Sequence, residues 1–235
     1  MPSFVPGSTS DSVKDKFKDA AELDIPGPGL GAVNRATLAR DSKHLGFTLA
    51  RYKFVSKMVE GFNNVLEVGC HEGTGSLTVA QVVKSLTAID FQENVIEWCN
   101  SEYKNYFQNL RFVAADAMNS IPKSIDHSGL YDGIFLLDVL EHIDPKQEDE
   151  FISNILNSLN NNGTLIVGIP SLESQKYASE VSKVQHVNCK TQSKLKADMK
   201  KYFHSVFMFG MNDEVLHVGF HGMCHYLFAL CTNKK

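Results

Sequence analysis

Between residues 64 and 169, short apolar runs alternate with longer stretches whose apolar residues recur every three or four positions. The runs NVLEV (64–68), SLTAID (85–90), LRFVAA (110–115), YDGIFLL (131–137) and TLIVGI (164–169) have the length and the β-branched and aromatic content of strands. Helices are predicted between them at 74–84, 93–106 and 147–160. This alternation favours a parallel sheet with helices on both faces. Upstream, DSKHLGFTLARYKFVSKMVEGF places Leu45, Leu49, Tyr52, Val55, Met58 and Val59 on one helical face, with Asp41 or Ser42 as cap and Gly61 as terminator. The stretch IPGPGLGAVN (25–34) reads as a loop, because its Pro and Gly residues defeat both helix and strand. After Pro170 a polar stretch (171–189) precedes a helix near 191–202. Two further strands, 204–210 and 224–231, could pair as a long hairpin at one sheet edge.

Composition narrows the picture without naming a function. A chain of 235 residues is expected to form one decorated α/β domain, here residues 41–235, after an N-terminal leader and candidate lid at 1–40. A net charge of −4 gives no reason to expect nucleic acid or an anionic membrane as partner. No apolar run approaches the roughly 20 residues that span a bilayer, and MPSFVPGSTSDSVKDKFKDAAEL lacks the basic-then-apolar order of a secretory signal. It reads instead as a mobile leader before a short amphipathic helix. Cys70, Cys99, Cys189, Cys224 and Cys231 contain no CxxC pair, so reduced thiols and a cytoplasmic location are expected.

The chemistry concentrates where the first strand ends. In VLEVGCHEGTG (65–75) the glycines follow G-x-x-x-G-x-G, not the G-x-G-x-x-G of dinucleotide binders. Such a turn after the first strand of a doubly wound sheet faces the ligand crevice, and glycines let the main chain approach a ligand. Gly69, Cys70, His71, Gly73 and Gly75 are therefore candidate ligand contacts. Glu67, just before them, suits an ammonium group, directly or through water, and suits a pyrophosphate poorly. Asp90 ends the second strand where an acid can accept ribose hydroxyls, with Phe91 beside it for an adenine face. Asp116 ends the third strand, placed for an adenine amino group alongside Ala117 and Met118. Each acid alone reads equally as a cap or turn residue; three at successive strand ends point to a ligand that is cationic at one end.

These residues resemble the class I S-adenosylmethionine-dependent methyltransferases of the small-molecule (type 11/12-like) branch. VLEVGCHEGTG is similar to their first motif, LTAIDF to the second, VAADAM to the third, YDGIFLLDVLEHI to the strand-four motif and NNGTLIVGIPS to the strand-five motif, over roughly residues 45–231. One departure stands out: the family usually has glycine where this chain has His71. The resemblance implies a Rossmann-like seven-stranded sheet of order 3-2-1-4-5-7-6 with strand seven antiparallel, and S-adenosylmethionine as cofactor. It also implies that the segment after strand four, with Asp138 and Leu140, faces the donor methyl group.

For catalysis, His142 lies four residues after Asp138, on the same face if the turn is helical, and can act as a base. Asp138 and His186 complete the catalytic candidates; a histidine in the loop holding His186 often lies near the acceptor in related enzymes. The structural alternatives are a capping histidine and a loop hydrogen bond. Arg40 and Arg51, with Arg35 and Lys53, could bind an anionic acceptor or simply form a solvated helix face. Asn212, Glu214 and His217, with Asp213, are expected in a loop closing over the acceptor. His217, His221 and His225 are spaced by four, but the intervening glycines make a poor helix, and no metal is expected. The implied activity is methylation of a small polar metabolite, foremost at a hydroxyl of a sugar-like acceptor. Alternatives are S-methylation of a thiol, N-methylation of an amine, a macromolecular acceptor, or a non-catalytic S-adenosylmethionine-binding protein. A nicotinamide-dependent oxidoreductase is disfavoured by the glycine spacing. A second copy could pair through the tail hairpin or the N-terminal helix to give a homodimer.

Overall fold

A computed structural model describes residues 27–124 and 129–235. The expected N-terminal helix and most of the leader lie outside the described residues. The first described element corrects one expectation: helix α1 spans Ala32–Arg40, so Ala32–Asn34 are helical and the glycine-rich loop ends at Gly31. Helix α2 (Ser42–Val59) begins where its cap predicts, with the Asp41 side chain accepting from the His44 amide. The chain leaves it through Gly61, which takes a left-handed φ of 82°.

Strands β1 (Asn64–Val68), β2 (Ser85–Asp90), β3 (Leu110–Ala114), β4 (Tyr131–Leu137) and β5 (Leu159–Pro170) follow one another with α3 (Ser76–Ala80) after β1, α4 (Glu93–Tyr103) after β2 and α5 (Glu148–Asn157) after β4, and no helix among the described residues between β3 and β4. Two short helices, α6 (Glu180–Gln185) and α7 (Gln192–Met199), lead to β6 (Phe203–Asn212), β7 (Val215–His217) and β8 (Tyr226–Lys234). The sheet has eight strands in the order β3-β2-β1-β4-β5-β8-β6-β7. Strands β1 to β5 are parallel, whereas β8 runs antiparallel between β5 and β6. The expected order is thus present with β8 in the seventh-strand place, plus one short edge strand, β7. That strand forms because Asp213 adopts φ 50°, tightening a turn that pairs Asn212 with Val215.

Helices cover both faces. Tyr52, Phe54, Val55 and Val59 of α2 pack with Val79, Ala80, Ile96, Cys99 and Tyr103 of α3 and α4 on one side. Phe151, Ile152, Ile155 and Leu156 of α5 pack with Leu195 and Met199 of α7 on the other. Phe54 stacks against Phe228 and Phe209 at centroid separations of 4.6 and 5.3 Å, fixing α2 across the antiparallel half of the sheet. Strand alternation sends Leu66 and Val68 to the α5 side and Val65 to the α2 side, and Glu67 follows Val65. A carboxylate is thereby driven into a helix–sheet interface. No described helix is long and apolar enough to cross a membrane.

Candidate active site

A cavity of about 800 Å³ opens at the carboxyl ends of β1, β2 and β4, walled by the glycine turn, α2 and the segment after β4. Gly69, Cys70, His71, Gly73 and Gly75 all line it. The glycines also leave room for the protein's own side chains. A Cβ on Gly69 would sit 2.3 Å from Val139 Cγ2, one on Gly73 2.5 Å from Phe112, and one on Gly75 2.2 Å from Tyr52. Gly69 and Gly73 also have φ of 82° and 66°. His71 keeps the left-handed conformation (φ 46°) without being glycine, at a cost of about 1 kcal/mol. Its amide donates to Asp90 Oδ2 at 2.9 Å, tying the turn to the end of β2.

Glu67 lies just beneath this turn, 1% exposed. Tyr52 donates its hydroxyl to Oε1 at 2.9 Å, and Oε2 has no partner. Burial raises the Glu67 carboxyl to about 7; the Ser76 and Tyr52 hydroxyls oppose the rise, though Ser76 makes no well-formed hydrogen bond, and nearby Asp90 adds to it. Tyr52, not Glu67, lines the cavity, so an ammonium there reaches this carboxylate through Tyr52 or a bridging water. A buried carboxylate with one oxygen left unpartnered beneath the crevice fits a ligand with a cationic amino end. Asp90 and Phe91 line the cavity from β2, and Asp116, Ala117 and Met118 from the end of β3. Phe91 is 74% exposed, leaving its ring free to meet a flat ligand. Asp116 also serves locally, accepting from the Met118 amide at 2.9 Å and from Asn119 at 2.8 Å.

Beyond β4 the backbone turns sharply at Asp138, whose φ of 56° ends the strand. The reversal shifts the alternation, so Val139 lines the cavity, while Leu140, expected to face the donor methyl group, is fully buried in the core. Asp138 receives Arg51 Nη1 at 2.7 Å. The guanidinium lies 3.9 Å above the Tyr226 ring and 5.5 Å from that of Phe47. Arg51 is therefore an internal counter-ion, not part of a solvated face or an anion site. Burial works against its charge, yet Asp138 raises its pKa above the ordinary arginine range.

The turn at Leu140–His142 meets the loop before α7. The Asn188 amide donates to the Glu141 carbonyl at 2.9 Å, and its side chain to Glu148 Oε2 at 2.9 Å. Lys190 Nζ reaches Glu148 at 2.7 Å and Asp198 at 3.1 Å, all three side chains buried. This network seats His186 against His142, with ring centroids 5.2 Å apart. Glu141, His142 and His186 each offer a ligand atom, all within 4.8 Å of one another. Burial, and then Asp138, drives the Glu141 carboxyl well above its usual range, while burial and His142 lower His186. Of the three catalytic candidates, Asp138 and His142 line the cavity, and His186 lies behind His142 outside its lining.

The other candidates stand apart. Arg40 is exposed, and neither it nor Asn212, Glu214 or His217 lines the cavity. Asn212 bonds the Met223 carbonyl and His217, at 3.1 Å each, as hairpin scaffolding. His217, His221 and His225 do not converge: among the described residues, the only metal-capable group is the one with Glu141. Two contributors escaped the sequence reading. Glu72 accepts from the Val33 and Asn34 amides at 2.8 and 2.9 Å, capping α1. Tyr52 reads as an ordinary core position, and only its place on the α2 face opposite Glu67 could have marked it.

The fold and crevice define a class: an open doubly wound sheet with an antiparallel strand inserted beside β5 and acids at the ends of β1, β2 and β3. Residues 65–163 match the family described as "Methyltransferase domain". Over those residues the chain is similar to methyltransferase domains, in line with the motifs at its strand ends. Among curated proteins, it is 25% identical over 138 residues to the ubiquinone biosynthesis O-methyltransferase of Rickettsia felis, covering 59% of this chain and 52% of that one. The chain thus spans about half the length of that relative. Among solved structures, the methyltransferase domain of bacterial CtHen1-C superposes with TM-score 0.63 at 16% identity, covering 79% of this chain and 98% of that one. N-methyltransferase NodS from Bradyrhizobium japonicum WM9, in complex with S-adenosyl-L-homocysteine, gives 0.55 at 18% identity, covering 95% and 99%. At these identities the structural likeness shows the fold alone.

Proposed function

We propose that this protein transfers the methyl group of S-adenosylmethionine to a hydroxyl oxygen of a small acceptor. One observation carries the reading: a single cavity joins the turn above Glu67, whose Oε2 has no partner, the acids Asp90 and Asp116, and the imidazole of His142. Glu67 with Tyr52 would hold the amino end of the cofactor, Asp90 the ribose, and Asp116 with Phe91 the adenine. The bound cofactor supplies an activated methyl group. The chain's task is then alignment, together with removal of the acceptor's proton. His142 and His186 mark the end of the crevice where the acceptor oxygen would be held and its proton leave, and Asp138, neutralised by Arg51, positions the turn that carries His142. The name of the Rickettsia relative favours oxygen, while that of NodS shows that the fold itself does not choose the acceptor atom. Helix α1, capped by Glu72, forms a wall of the cavity through Asn34.

A sugar-like acceptor is less well supported than one with an apolar part. Next to the cavity-lining Gln185, Val181 and Val184 are 66% and 78% exposed. The test is incubation with methyl-labelled S-adenosylmethionine and paired hydroxyl acceptors, polar and apolar, with Asp90→Ala as control. Label on an acceptor oxygen that depends on the wild-type protein is the expected result. Label on nitrogen or sulfur alone would overturn the oxygen assignment.

A further inference from the structure

Glu141 is 1% exposed, and neither carboxylate oxygen has a hydrogen-bond partner. A carboxylate buried in that way is costly unless something cationic joins it. The two imidazoles beside it are turned so that they cannot relieve it through Nδ1. His142 Nδ1 lies 3.1 Å from the Gln185 carbonyl oxygen, which can only accept, so that nitrogen carries the proton. His186 Nδ1 lies 2.9 Å from Gln175 Oε1. The Gln175 amide is itself oriented, since its nitrogen donates to the Ser171 carbonyl at 3.3 Å. Both rings therefore hold their protons on Nδ1 and present the Nε2 lone pair. Histidines fixed through one nitrogen by a carbonyl, with the other free, are arranged as metal ligands commonly are.

The geometry points to a divalent-cation site: we propose that Glu141, His142 and His186 bind a first-row transition cation such as Zn(II) or Co(II). This runs against the expectation of no metal. Two imidazole nitrogens and one carboxylate favour such a cation over magnesium or calcium, which prefer all-oxygen sets. Asp138 adds no fourth ligand, because Arg51 already holds it at 2.7 Å. Three protein ligands leave positions open, the arrangement of catalytic rather than structural sites. Because His142 borders the cavity, an open position can take the acceptor's oxygen. The inference rests on the hydroxyl-methylation reading and deepens it. Coordination would make the acceptor's O–H more acidic. Its proton passes to water, the oxygen lone pair forms the new O–C bond, and the donor's S–C bond breaks with its electron pair remaining on sulfur. The acceptors selected would be those able to ligate through oxygen, vicinal diols and catechol-like diols above simple alcohols.

The experiment uses the full chain, stripped by chelation and dialysed against Zn(II), with metal counted by mass spectrometry and Co(II) substitution followed by visible absorption. S-adenosylhomocysteine binding is measured on the same samples. We expect about one cation per chain, and affinity lower by about 10-fold or more in Glu141→Gln and in His186→Ala. The doubly substituted His217→Ala, His221→Ala protein should bind as wild type. Glu141→Gln removes an unpartnered charge and keeps the side chain's shape, so the metal-free variant should fold, as circular dichroism would check. The proposal is overturned if wild type binds no more cation than Glu141→Gln, or if the tail variant loses the cation instead. Lost metal binding with intact S-adenosylhomocysteine binding sinks this inference alone. Retained metal binding without S-adenosylhomocysteine binding sinks the methyltransfer reading instead.

Discussion

Glu67→Gln should make the ligand-free protein more stable while weakening its hold on the cofactor. The rise of the Glu67 carboxyl from 4.5 to about 7 corresponds to about 3 kcal/mol held against the ionised form. Because the folded state keeps its proton to higher pH than the unfolded chain does, this contribution is fully present below pH 4.5 and is lost as pH rises through about 7. A glutamine at this position does not titrate. It can still accept from Tyr52, and its amide can donate to Ser76, whose buried hydroxyl has no partner. At pH 8 the variant should therefore gain up to about 3 kcal/mol, or about 6–12 °C for a chain of this size. On the proposed function that charge also holds the cofactor's ammonium, through Tyr52 or a bridging water, so affinity should fall by about 1–2 kcal/mol, roughly 5- to 30-fold. Differential scanning fluorimetry between pH 5 and 8, with titration calorimetry of S-adenosylhomocysteine, measures both. Parallel pH profiles for the two proteins, or an unchanged affinity, would refute the account of Glu67.

Three other perturbations test neighbouring parts of the site. Asp138→Asn removes the counter-ion of a largely buried guanidinium and should cost about 1–3 kcal/mol of stability, read by urea denaturation; Arg51→Met together with Asp138→Asn should recover much of that loss. His71→Gly relieves a left-handed non-glycine residue and should raise stability by up to about 1 kcal/mol, with cofactor affinity retained. Glu72→Ala removes the acceptor for two helix amides, so hydrogen exchange over 32–40 should accelerate by about 10-fold while the core strands exchange unchanged.

The parallel half of the molecule was legible because its strands obey one rule. NVLEV, SLTAID and YDGIFLL are buried on both faces, so their apolar runs coincide with the observed strands. Helix α1 was not legible: its stabilising acceptor, Glu72, lies 38 residues from Asn34 in sequence, and local composition cannot report a cap that arrives from elsewhere. The same limit hid the role of the glycines. Their spacing marked a turn, but only the packed structure shows Val139, Phe112 and Tyr52 occupying the spaces they leave. His142 and His186 could be singled out by type and position. Their union with Glu141 depends on the buried Lys190–Glu148–Asn188 network, whose members read in sequence as ordinary surface polar residues.

Helix α1 has no buried residue, and its fastening to the motif loop is made of polar contacts with Glu72 and Thr74. An element held in this way detaches at the cost of a few hydrogen bonds, leaving both hydrophobic clusters untouched. The cavity wall at Asn34 can then open by local detachment, on a schedule separate from the stability of the sheet. Glu72 adjoins His71, whose amide is tied to Asp90, so a ligand drawing on Asp90 tugs on the fastening as well. Stiffening the core would therefore leave the opening of this wall unchanged.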